Sequence, residues 1–207
     1  MLDLSMDLSE VIKIVDSFRN KKICIIGDLM LDKYIYGDVE RISPEAPIPV
    51  VKISSQSFSP GGAGNVANNI ASLEGLAFIV GIIGQDPSGE SLLLAFKERN
   101  INTEGIIVDS RKKTIEKIRV IARGQHMIRI DSENDRYIDK KHEKKIFGYI
   151  SAHLNKFECI VISDYAKGTL TGTLTKKLID LSNKFKIPVV VDPKPQHAPF
   201  YKNAFIL

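Results

Sequence analysis

KICIIGD, residues 22–28, is a short apolar run without alternation, the pattern of a strand covered on both faces within a parallel sheet. The same signature returns at LAFIVGIIGQD (76–86), FECIVISD (157–164) and IPVVVD (187–192). Between these runs lie helix-patterned segments at about 65–73, 88–99, 139–155 and 171–185, the last carrying Leu174, Leu178 and Leu181 on one stripe. The rhythm predicts an α/β fold with a mostly parallel central sheet flanked by helices. Upstream of the first run, Leu8, Val11, Ile12, Val15 and Phe18 recur at helical spacing. Asp7 and Glu10 stand where a capping box would open that helix.

Two stretches interrupt the rhythm. Residues 34–58 are rich in proline and β-branched side chains, and TIEKIRVIA (114–122) with HMIRID (126–131) form the arms of a hairpin around Arg123 and Gly124. Both are expected to lie in one small β-layer, built from segments of about 34–58 and 112–131 inserted into a single domain spanning 1–207. Repeats, low-complexity tracts and linkers are absent from the sequence.

Composition narrows the function. The chain has 207 residues, 43% hydrophobic and 26% charged, with 14 glycines, which excludes disorder, collagen and coiled coil. A formal charge of +4 is small, and the runs Arg111-Lys112-Lys113 and Lys140-Lys141 with Lys144-Lys145 fit a solvated surface. Neither nucleic acid nor a membrane surface is expected as a partner. Cys24 and Cys159 each sit in an apolar run, as buried free thiols would in a reducing, cytoplasmic compartment. No stretch approaches the apolar length of a membrane span.

All four apolar runs finish in aspartate: Asp28, Asp86, Asp164 and Asp192. Parallel sheets bind ligands at the carboxyl ends of their strands, so these residues mark the functional edge. Lys167 follows Asp164 and Lys194 follows Asp192, a mixed charge suited to a ligand carrying hydroxyls and a phosphate. The segment PGGAGNVANN (60–69) lets backbone approach a ligand closely and leads into a helix whose first amides can bond oxygen. It also matches G-x-G-x-x-A, but SSQSFSP rather than an apolar strand precedes it, so a dinucleotide fingerprint is not supported. A P-loop and a G-x-S-x-G elbow are absent, and the four histidines lack ligand spacing, so no metal site is assigned.

Gly27-Asp28-x-x-x-Asp32, RISPEAPIPV (41–50), GGAGNVANN (61–69), Thr114-x-x-Lys117-x-Arg119, SDYAKG (163–168) and Asp192-Pro193-Lys194 together resemble the ribokinase (PfkB) family of carbohydrate kinases. Within it they are most similar to the D-glycero-β-D-manno-heptose 7-phosphate kinase domains of ADP-heptose and lipopolysaccharide-core biosynthesis. The resemblance implies a ribokinase-like fold whose β-layer is a lid over the sugar and pairs with a second subunit. It implies that Asp32 bonds sugar hydroxyls and that Gly61, Gly62 and Asn65 supply backbone and amide contacts. Lys117, Arg119 and Arg129 are candidates for the phosphate already on the substrate, with Asp164 and Lys167 beside them. Asp192 and Lys194 lie on the nucleotide side.

Family members transfer the γ-phosphoryl group of ATP, with Mg²⁺, to a sugar hydroxyl. Their base and anion hole come from a late D-T-x-G-A-G-D motif, whereas the G-A-G of this sequence, Gly62-Ala63-Gly64, is followed by Asn65. The C-terminal third of the fold is therefore expected to be missing, with the base beyond Leu207, no catalytic residue assigned and the chain inactive alone. ATP and Mg²⁺ belong to the complete enzyme and are not expected to bind this chain tightly. A homodimer through the lid, or a complementing C-terminal fragment, is expected to cover exposed apolar surface. Two alternatives are another PfkB kinase, acting on fructose 6-phosphate, ribose or a nucleoside, and a noncatalytic sugar-binding and dimerisation module.

Overall fold

The structure, a computed structural model, describes residues 7–133 and 135–206. The four apolar runs become β1 (Lys22–Gly27), β4 (Leu76–Gly84), β8 (Cys159–Ser163) and β9 (Val189–Asp192). Together with β5 (Asn102–Asp109) they form a five-stranded sheet in the order β5-β4-β1-β8-β9, parallel throughout. β5 escapes the apolar-run criterion because it is an edge strand whose first half, Asn102-Thr103-Glu104-Gly105, is polar. At the other edge, Ile206 adds a parallel bridge beside Val190.

Unbroken apolar strands need cover on both sides, and helices supply it. α2 (Ala63–Ser72) and α3 (Pro87–Glu98) pack Ala63, Ala67, Leu92 and Phe96 against Ile25, Ile79 and Ile83. α4 (Lys140–His153) and α5 (Gly172–Lys184) pack Ile146, Ile150, Leu174 and Leu178 against Cys24, Ile26, Ile160 and Ile162. Because successive strand residues face opposite sides, Cys24 and Ile25 belong to different cores. For the same reason Cys24 and Cys159, on neighbouring strands but in adjacent rather than paired positions, face opposite sides and remain free thiols.

α1 (Leu8–Asp16) forms as its spacing predicts, but the capping box does not. The Asp7 carboxylate accepts from the Ser9 hydroxyl at 2.8 Å instead of capping a backbone N–H, and α1 buries no residue.

The β-layer is a second sheet, β3-β2-β6-β7, made of β2 (Leu29–Ile42), β3 (Pro49–Gly62), β6 (Ile115–Ala122) and β7 (Gln125–Ser132). Its first two strands exceed the 34–58 segment at both ends because they grow out of the core, where Leu29 and Leu31 are buried with α2 and α3. β2 pairs antiparallel with β3 and parallel with β6, and β6 closes on β7. The hairpin turns at Arg123 (φ 50°) and Gly124 (φ 75°), the two positive dihedrals that a tight two-residue turn demands.

Candidate functional site

β1 connects outward to β4 and β5 on one side, while β8 and β9 fill the other, so the strand order reverses between β1 and β8. The crevice at the carboxyl ends there is where open parallel sheets bind ligands. Asp28, the residue after β1, is fully buried there. Its carboxylate accepts the N–H groups of Tyr165, Lys167 and Thr169, each at 3.0 Å, and its carbonyl accepts the Ala63 N–H at 3.0 Å. One aspartate thus ties the 165–169 loop and the start of α2 to the end of β1.

The other strand-end aspartates diverge from a common ligand role. Asp86 caps α3 through the Gly89 N–H at 2.9 Å and holds the Thr114 N–H at 2.8 Å. Burial works against its charge, but these hydrogen bonds prevail and keep its carboxyl below the ordinary range. Asp164, a substrate-contact candidate, turns inward. Its side chain is fully buried and accepts from Tyr201 Oη at 2.6 Å and from Ala166 N–H at 2.7 Å, with His197 Nδ1 at 2.7 Å. Burial and the bond to Asp164 push the Tyr201 phenol far above its usual pKa. Asp192 is exposed, and Lys194 rests its ammonium 5.0 Å from the Tyr165 ring centroid.

The open chemistry lies where the second sheet leaves the core. Register across it aligns Ser59, Asp32, Lys117 and Asp131 in one row and Ser57, Tyr34, Arg119 and Arg129 in the next, all on one face. Arg119 Nη1 donates to Asp32 Oδ1 at 2.5 Å while its guanidinium lies 5.3 Å from the Tyr34 ring centroid. The Asp32 hydrogen bond outweighs desolvation and holds Arg119 more firmly protonated. This fixes a partly buried carboxylate with lone pairs left to accept hydroxyl protons. Gly61 lies directly against it, and a Cβ there would collide with Asp32 Oδ2. Gly62 takes φ +57° and ψ −132°, where a Cβ would meet the Asp28 carbonyl. Asn65 is exposed on the first turn of α2, which no side chain among the described residues caps.

The basic candidates assemble differently from their sequence neighbours. Lys167 pairs with Glu133 at 2.6 Å and Asp135 at 3.1 Å, not with Asp164. Desolvation would lower its pKa, but these two carboxylates raise it. Lys117 pairs with Asp131 at 3.1 Å and Glu133 at 3.2 Å. Arg129 bonds Asp131 at 3.0 Å from a side chain 61% exposed, placing it at the rim. The carboxylates at 131, 133 and 135 escaped the sequence reading, although their i, i+2 spacing continues the face of Arg129 and was the available signal. RISPEAPIPV lies at the far tip of the β2–β3 hairpin, about ten strand residues beyond Asp32, or roughly 33 Å.

A cavity of about 300 Å³ opens nearby, lined by Asp109, Arg111, Lys112, Asp139 and His142. Arg111 pairs there with both Asp109 (3.2 Å) and Asp139 (3.4 Å), and its hydrogen bonds lower the Asp109 carboxyl to about 2. Asp109 ends β5, the edge strand, so this cavity lies to one side of the β1–β8 crevice.

The family model described as pfkB family carbohydrate kinase matches residues 20–205. The chain is 44% identical over 183 residues to the Bifunctional protein HldE of Geobacter sulfurreducens, covering 88% of this chain and 37% of that one. Among solved structures, a possible 1-phosphofructokinase of Thermotoga maritima superposes with a TM-score of 0.70 at 17% identity, over 88% of this chain and 57% of that one. Phosphofructokinase-2 of Escherichia coli gives 0.66 at 20% identity, over 87% and 56%. The chain spans about two fifths of the length of the curated relatives it matches.

Proposed function

The chain belongs to the pfkB family of carbohydrate kinases, and from that premise we propose that it holds the sugar-binding part of a kinase that phosphorylates D-glycero-β-D-manno-heptose 7-phosphate on its 1-hydroxyl. The observation that carries the reading is Asp32, an Arg119-braced carboxylate set against Gly61 and level with Lys117 on the neighbouring strand. Asp32 accepts from sugar hydroxyls, the Gly61–Gly62 backbone and Asn65 complete the polar wall, and Lys117 and Lys167 receive the phosphate. The motif resemblance at 41–50 and 163–168 supports the heptose branch over other sugars.

ATP with Mg²⁺ supplies the phosphoryl group in such a kinase. Asp192 and Lys194 do not by themselves fit a triphosphate, which needs a concave wall of several donors, since they offer one exposed carboxylate and one ammonium drawn onto Tyr165. The carboxylates nearest the crevice are committed, Asp28 to three N–H groups and Asp164 to Tyr201 and Ala166. We therefore expect binding without turnover.

Calorimetric titration of the 207-residue chain with heptose 7-phosphate tests the reading. We expect saturable binding unchanged by ATP, weakened at least roughly tenfold in Asp32→Asn, since a charged hydrogen-bond acceptor is lost. Sugar-phosphate-dependent ATP turnover would refute that expectation. Equal affinity in Asp32→Asn would refute the site.

A further inference from the structure

The two lysines assigned to phosphate are already occupied by one side chain. Glu133 Oε2 lies 3.2 Å from Lys117 Nζ and its Oε1 lies 2.6 Å from Lys167 Nζ, so a single carboxylate bridges them. Lys117 belongs to β6 and Lys167 to the loop after β8, which makes Glu133 one of the ties between the second sheet and the core. Among the described residues Lys117, Arg119, Arg129 and Lys167 pair with Asp32, Asp131, Glu133 and Asp135, so each of these four cations already has a carboxylate before any ligand arrives. Both lysine side chains are less than one fifth exposed, at 16% and 17%. An anion reaching these two ammoniums therefore competes with the carboxylate already on them.

We propose that Glu133 is a specificity-determining residue, an internal counter-anion that a ligand phosphate displaces and a neutral sugar does not. The proposal rests on the sugar-phosphate reading above. A phosphate monoester carries close to two charges and three acceptor oxygens, against one charge and two oxygens on Glu133, so it can take both ammoniums and keep sheet and core joined. A sugar hydroxyl offers only neutral hydrogen bonds and leaves the bridge in place. Glu133 is the group free to yield. It lies beyond the last residue of β7, Ser132, whereas Asp131 is within the strand and is braced by Arg129 at 3.0 Å as well as by Lys117.

The test is titration of the full chain with inorganic phosphate, heptose 7-phosphate and unphosphorylated heptose, comparing the unaltered protein with Glu133→Gln, Glu133→Asp, Lys117→Met and Lys167→Met. Glu133→Gln is expected to tighten both phosphate ligands by roughly fivefold, the effect of removing two partly exposed ion pairs, and to leave heptose unchanged. Glu133→Asp, too short to bridge, is expected to fall between, and it carries the test if the glutamine variant does not fold. Unchanged or weaker phosphate affinity in folded Glu133 variants overturns the proposal while both lysine variants still lose phosphate. If the lysine variants bind phosphate as the unaltered protein does, the phosphate seat itself is wrong and the proposed substrate falls with it.

Discussion

Single residues at the mouth of the β1–β8 crevice carry more than one duty, and their substitutions separate those duties. Asp28 is a buried carboxyl group that accepts three backbone N–H groups, so Asp28→Asn leaves an amide group facing a donor. The expected cost is about 2–3 kcal/mol in chemical denaturation, with faster proteolysis in the 165–169 loop. Gly62 occupies a positive-φ region that residues with a Cβ avoid, and the Asp28 carbonyl sits where that Cβ would go. Gly62→Ala is expected to lose about 1–3 kcal/mol from backbone strain, measurable in the same way. Asp28 was legible from sequence as a strand-end residue, but its role was not. Three donors from residues 137 to 141 positions downstream decide it.

Among the elements, α3 depends on an aspartate that serves two neighbours. Asp86 caps its first turn and holds the Thr114 N–H at the entry to β6, while the Thr114 hydroxyl accepts the Gly84 N–H at 2.9 Å. Asp86→Ala is expected to cost about 1–2 kcal/mol by thermal melting, the value of a lost cap. The folded carboxyls of Asp86 and Asp109 lie below their ordinary pKa, Asp109 at about 2. Groups depressed in this way stabilise the fold above their unfolded pKa, near 4, and lose that contribution as pH falls through the folded value. Melting temperature should therefore drop between about pH 4 and pH 2, and the drop should shrink in Asp86→Ala. The helices were readable because their apolar stripes are local. β5 was not, since half of it is polar at an open edge, and the true lengths of β2 and β3 depend on burial of Leu29 and Leu31 by distant helices.

At the scale of the whole molecule, the second sheet has one charged face and one apolar face. Opposite the Asp32 row, register aligns Phe58, Lys33, Ile118 and Ile130, with Ile35, Val120 and Ile128 beside them. Phe58, Ile128 and Ile130 are each about half exposed. We propose that this face pairs with a second copy of the chain, the expectation that the resemblance carries. Ile130→Asp is expected to shift the protein from dimer to monomer by analytical ultracentrifugation, and a monomeric unaltered chain at micromolar concentration would dismiss the pairing. The sequence by itself determined the α/β layering, the hairpin at Arg123-Gly124 and the identity of the glycine segment, because apolar periodicity and glycine chemistry act over a few residues. Only the tertiary structure decided which charges meet. Lys167 leaves its neighbour Asp164 for Glu133 and Asp135, and Asp164 turns inward to His197 and Tyr201, because the parallel sheet and the second sheet bring groups far apart in the chain within hydrogen-bond distance.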